Sequence, residues 1–269
     1  MPLVIKSREA PQPWRVVRAR TNKWLIGPVW VNWVCDQTAY ALSRWPFLEV
    51  LEYAGSMSVL VAVVFWFAEA GQRRMAAHYQ AWQVINTAQG KGGCGGRIEA
   101  LESLNSDEVP LIGVDLSDAF LQDVDLHKAE LRRANFAAAD LRRAVFDKAD
   151  LADANFRSAN LRGAFLRDSD VNRASFNDAD FTGADLDRAD LGGASFMGAD
   201  LSGVDLADVR NWQKIEGIRW ANVHGVLDAP DGFIVWAMNH GAVDMADPDQ
   251  WLAAVNKADA ADTNWRAKP

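Results

Sequence analysis

The side chains able to do chemistry are few and scattered. The four histidines, His78, His127, His224 and His240, share no metal-ligand spacing. The two cysteines, Cys35 and Cys94, lie too far apart in sequence to suggest a zinc site or a disulfide framework, and read as unpaired thiols. Lys91 sits among the glycines of Gly90 to Gly96, but no Gly-Lys-Ser/Thr closes that stretch, so it reads as a hinge rather than a phosphate loop. Neither a nucleophile elbow nor a dinucleotide fingerprint is present. The expectation is a chain that is not an enzyme and holds no cofactor and no metal.

The remaining charge is unevenly placed. The formal charge is −8, made of +2 over residues 1–110, −8 over 111–209 and −2 over 210–269. Phosphate-driven binding needs an excess of Lys and Arg, so direct nucleic-acid binding is not expected.

The acidic stretch is periodic. From Leu116 to Leu206 an apolar residue recurs at every fifth position, nineteen times without a miss. Two residues before each stands a small residue, mostly alanine, with Val114, Val124, Ser169 and Val204 as the exceptions. Neither a helix nor a strand has a period of five, so this is a structural repeat.

The pattern Ala-(Asp/Asn)-(Leu/Phe)-X-X resembles the pentapeptide-repeat family. That resemblance implies a right-handed quadrilateral β-helix over residues 111–209, with four five-residue faces and twenty residues per coil. The central Leu or Phe and the small residue two before it point inward. Coils then stack at about the 4.8 Å spacing of strands, each burying its apolar residue against its neighbours. The stretches from Gly96 to Leu121 and from Ala229 to Val243 are similar to bacterial membrane-anchored pentapeptide-repeat proteins of unassigned function.

A period of twenty has consequences that the period of five does not. One inward column becomes Leu116, Phe136, Phe156, Phe176, Phe196, an aromatic ladder. Outward columns alternate in sign: Arg133, Asp153, Arg173; Lys148, Asp168, Arg188; Asp147, Arg167, Asp187 with His127 beneath; and Asp123 under Arg143. Opposite charges on adjacent strands support each other. Glu130, Asp150, Asp170 and Asp190 form an acidic column expected to bond nearby backbone N–H groups. Two groups remain as candidate interaction residues. Arg142, Arg157 and Arg162, with Arg132 nearby, have no partner one coil away. Phe120, Val145 and Phe165 stand where the repeat normally places Asp or Asn, and exposed apolar clusters mark contacts.

The N-terminal third reads differently. Phe47 to Ala68 is apolar apart from Glu49 and Glu52, and Trp24 to Leu42 carries one charge, Asp36. Spans take about twenty residues, and Trp45, Tyr53 and Trp66 sit where aromatic belts do. Ser43 to Pro46 reads as the break between two spans. Basic residues precede the first segment and follow the second, which predicts a membrane hairpin with both ends cytoplasmic. Asp36 is the candidate intramembrane polar residue, with Asn32 and Gln37 as neighbours in sequence.

The expected organisation is a basic arm (1–23), a helical membrane hairpin and following helix (24–89), a Gly-rich hinge and N-terminal cap with Ile98, Leu101 and Leu104 at helical spacing (90–110), the β-helix (111–209), and a C-terminal cap and tail (210–269). In that last segment the rhythm stops after Leu206, and Ile215, Ile218, Trp220 and Val223 suggest a last irregular strand or coil. Phe233, Trp236 and Ala237 are placed to cover the open end.

These features point to a non-enzymatic interaction scaffold, expected to be a homo-oligomer bound to membrane lipid through residues 24–68. The expected site is the cytoplasmic face of a bacterial inner membrane, with a protein partner the sequence does not name. The alternatives are a DNA mimic that binds gyrase, as in quinolone-resistance members of the family, and a channel-like membrane oligomer.

Overall fold

The structure is a computed structural model that describes residues 10–43, 57–66, 69–87 and 96–261. It divides into two compact units, residues 1–74 and 75–269.

The described part of the first unit is helical. α1 (Trp14–Arg20) precedes a 3-10 turn and α2 (Ile26–Ser43). α3 (57–66) follows, and then the start of α4 (Ala70–Thr87). The segment expected to be a basic arm therefore contains a helix. Its half-buried Trp14, Val17 and Thr21 fall at i, i+3 and i+7, the spacing of one helix face. Among the described residues no helix is long and apolar enough to cross a membrane. The expected break at Ser43 to Pro46 and the first ten residues of the second span lie outside the described residues, apart from Ser43 at the end of α2. So does most of the Gly-rich hinge.

The second unit is a rod of square coils. Outward residues bridge in parallel to residues twenty further on, as in Asp115↔Asn135↔Asn155↔Ser175↔Ser195. A single five-residue side shows how the coil is built. Asn135 N–H donates down to the Val114 carbonyl, while Phe136 and Ala138 N–H donate up to the Asn155 and Arg157 carbonyls. Ala139 N–H closes the corner on the Phe136 carbonyl. The remaining donor, Ala137 N–H, is taken by the Asn135 side chain at 3.2 Å. All five N–H groups are thus satisfied, and the Asp or Asn before each Leu or Phe is explained by the donor that no carbonyl reaches. Only one residue per side has β pairing, so the rod has bridges rather than the extended strands that a mainly β class suggests.

Each corner turns through a residue with positive φ, two after the central apolar residue, from Gly113 (69°) and Asp118 (54°) to Asp208 (50°). Glycine takes this conformation without strain and Asp or Asn tolerate it, whereas Arg133, Ala138 and Lys148 hold it against a Cβ penalty of about 1 kcal/mol each. Coil stacking overrides that local preference.

The core is one column of side chains. The rings of Phe136, Phe156, Phe176 and Phe196 stack in register at 4.7, 5.0 and 5.1 Å, as the period of twenty predicts. Phe146 and Phe181 meet them edge-on from other faces. Alanines such as Ala134, Ala154 and Ala174 are fully buried, where a larger side chain would separate the coils.

Both ends are capped. At the lower end α5 (Arg97–Ser106) buries Leu101 and Leu104, with Ile85 of α4 in the same core. Its polar side chains replace a missing coil: the Glu102 carboxylate accepts the Asp125 N–H at 3.0 Å, and the Asn105 amide donates to the His127 carbonyl at 3.1 Å. Such pairing blunts an exposed sheet edge. At the upper end the regular count ends at Leu206 and an irregular last coil follows, as expected from Ile215, Ile218, Trp220 and Val223, with Ile215, Ile218 and Val223 buried inside it. A 3-10 turn at Trp212–Lys214 inserts two residues, so pairing shifts from Asp190↔Arg210 to Ser195↔Gly217 and Asp200↔Asn222. α6 (Phe233–Asn239) then closes the rod with Phe233 and Ala237, and Trp236 packs partly buried beside them. α7 (Pro248–Ala261) lies along the outside. There Trp251 and Val255 pack on Met197, and the Trp251 indole donates to the Trp220 carbonyl.

Candidate interaction surface

The arginines expected to lack partners all have one. Arg142 grips Asp140 through two nitrogens at 2.9 and 2.8 Å. Arg157 meets Asp178 at 3.4 Å, Arg162 meets Asp180 at 3.5 Å, and Arg132 meets Asp150 at 3.4 Å. The error is geometric. These partners stand two residues back or on a diagonal eighteen or twenty-one residues ahead, off the vertical spacing of twenty.

Four of the expected vertical pairs form among the described residues. Arg143 on Asp123, Arg173 on Asp153 and Arg188 on Asp168 are two-pronged, and Arg167 holds Asp147 at 2.6 Å. His127 departs from expectation and bonds Asp125 of its own repeat, not Asp147. Of the acidic column, Asp150, Asp170 and Asp190 accept backbone N–H groups as expected.

Hydrogen bonds from Arg143, Arg142, Arg173 and Arg188 hold the carboxyls of Asp123, Asp140, Asp153 and Asp168 below the ordinary value of 3.8. For a depressed carboxylate the stabilisation is complete above its unfolded value and is lost as pH falls through the folded one. The rod's melting temperature is therefore expected to be level near neutrality and to drop below about pH 4. Thermal melts followed by circular dichroism check this, and a midpoint unchanged down to pH 2 would remove the ion pairs from the stability account.

The apolar trio divides. Val145 and Phe165 are bridge partners on one face, and Phe120 bridges Asp140 on the preceding face. Phe120 and Phe165 are exposed and Val145 is half-buried. Phe165 is a built feature. It displaces the Asp or Asn that would accept the Arg167 N–H, and the Asp147 carboxylate of the coil below takes that N–H instead at 3.0 Å. The Arg167 guanidinium then lies 5.3 Å over the Phe165 ring. The sequence held a signal for this group, Asp147 and Arg167 twenty apart, but gave no sign that the pair also serves the backbone.

Two concavities flank the rod. One, of about 680 Å³, lies against the lower cap between Glu102, Asn105, Asp125 and His127. The other, of about 470 Å³, lies under α7 between Arg157, Asp180, Trp251 and Asn256. Among the described residues no group of His, Cys, Asp and Glu is placed to hold a metal ion. In the first unit, Asn32 and Asp36 stand on the exposed side of α2, and Gln37 lies on the half-buried stripe with Trp33.

No curated protein matches the chain. Among solved structures it is similar to a pentapeptide-repeat protein from the thylakoid lumen of Arabidopsis thaliana, at 23% identity and a TM-score of 0.34 over 54% of this chain and 88% of that one. It is also similar to HetL, a pentapeptide-repeat protein involved in heterocyst differentiation regulation from the cyanobacterium Nostoc sp. strain PCC 7120, at 23% identity and 0.17 over 45% and 81%. A third is full-length QnrB1, a plasmid-mediated fluoroquinolone resistance protein, at 18% and 0.24 over 54% and 83%. The family model for pentapeptide repeats matches in eight copies over residues 111–147, 134–173, 149–186 and 174–210. Residues 111–210 of the chain are a pentapeptide-repeat domain, of the family that folds as right-handed β-helices.

Proposed function

We propose that this chain is a non-enzymatic interaction scaffold, its rod held at the cytoplasmic face of a bacterial membrane by the N-terminal unit. The observation that carries the membrane part is α3. Nine of its ten residues, from Met57 to Trp66, are apolar, and every one of them is exposed. Val59, Leu60, Val64, Phe65 and Trp66 each leave more than half of their surface uncovered. Water does not tolerate so continuous an apolar surface, and a lipid phase would cover it. The scaffold part rests on the rod, whose outward groups are engaged in holding coils together, with Phe165 and Phe120 left to contact a protein partner. A DNA mimic is less well supported, because arginines interrupt the negative charge along the rod.

The test uses the full chain expressed in bacteria, with membranes washed in alkaline carbonate. The chain is expected to stay with the membranes, and a Val61→Asp, Val64→Asp variant to move to the supernatant. A wild-type chain that washes free would overturn the membrane reading.

A further inference from the structure

The N-terminal unit carries a cluster of cations that no carboxylate among the described residues neutralises. α1 commits one side to α2: the Trp14 ring lies 5.6 Å from Trp33, and the Trp33 indole donates to the Gln12 carbonyl at 2.8 Å. Trp14, Val17 and Thr21 occupy that side, which turns Arg15, Arg18 and Arg20 outward, with Lys23 following. All four are exposed. From Ala10 to Cys35 the sequence has no Asp or Glu. Among the described residues no carboxylate pairs with any of the four, whereas in the rod Arg132, Arg142, Arg143, Arg157, Arg162, Arg167, Arg173 and Arg188 each meet an Asp.

The surroundings of the cluster indicate its partner. Leu25, Trp30 and Val31 are exposed just beyond Lys23, at 55, 50 and 55%. Cations spread along the outside of a helix, with tryptophan and aliphatic side chains beside them, match the two layers of a bilayer surface. Headgroup phosphates take the guanidinium groups, and the boundary below takes the aromatic and aliphatic groups. We propose that residues 14–23 dock on anionic phospholipid headgroups. The proposal rests on the membrane reading above, which supplies a bilayer but no preference for its charge.

Flotation of the full chain tests it, with vesicles of phosphatidylcholine alone and of phosphatidylcholine mixed with phosphatidylglycerol, at low salt. The wild type is expected to favour the mixed vesicles. The Arg15→Gln, Arg18→Gln, Arg20→Gln variant is expected to lose about fivefold per arginine there, roughly a hundredfold in all, and to match wild type on phosphatidylcholine. Equal binding of both proteins to the mixed vesicles would overturn the headgroup proposal and leave the membrane reading standing. Failure of both proteins to float with either vesicle would overturn both. Displacement of the wild type by inorganic phosphate at constant ionic strength would assign the cluster to a soluble anion and overturn the lipid proposal.

Discussion

Phe156→Ala is expected to lower the rod's unfolding free energy by about 3–5 kcal/mol, the usual cost of removing a buried aromatic ring. Phe156 is fully buried and sits mid-column, stacked on Phe136 at 4.7 Å and Phe176 at 5.0 Å, with Phe146 edge-on at 5.9 Å. Its flanking core residues, Ala154 and Ala159, are too small to fill the space. Coil spacing is set by backbone hydrogen bonds such as Phe156 N–H to the Ser175 carbonyl, so the walls cannot collapse inward. Each coil contacts only its neighbours, so the cavity separates upper coils from lower ones. The melt is therefore expected to broaden as well as to shift. Phe156→Leu should recover most of the loss, since Leu116 already occupies the foot of this column. Urea unfolding followed by circular dichroism reads both variants. A loss below about 1 kcal/mol for the alanine variant would mean that the stacked rings do not act as a core.

The rod is legible in sequence because each of its five positions has one physical task. Phe156 is central, Ala154 is small because coils must close, and Asn155 is amide-bearing because the Arg157 N–H needs an acceptor at 3.1 Å. The last coil was legible only as an irregular one, without its register. Ile215, Ile218 and Val223 still point inward, but the turn at Trp212–Lys214 adds two residues and breaks the count. The side-chain pairing of Arg142, Arg157 and Arg162 was hidden for a different reason. A long guanidinium reaches diagonally to Asp140, Asp178 and Asp180, and a one-dimensional period tests only vertical neighbours. In the N-terminal unit hydropathy alone suggested spans and a basic arm. The structure shows that Trp14 and Val17 carry helical periodicity, which the dense arginines around them obscured.

Phe233→Ala is expected to cost a similar 3–5 kcal/mol but to differ in kind from Phe156→Ala. Phe233 and Ala237 are the buried residues of α6, a helix of seven residues whose hold on the rod depends on them. Phe233 closes the space above Leu186, Leu191, Phe196, Leu201, Leu206, Ile215 and Ile218. Losing that ring is expected to release α6 and expose the end of the apolar column. It also loosens the pairing of Val223 N–H with the Val243 carbonyl just beyond. An open coil edge is a template for another chain. The variant should therefore associate with rising concentration, whereas Phe156→Ala, with both caps intact, should not. Sedimentation velocity over a concentration series separates them. Equal association by the two variants would show that the upper edge is guarded by something other than α6. A Phe233→Ala chain that is destabilised but does not associate would assign the guarding to the last coil, where Asn222 bridges Val243.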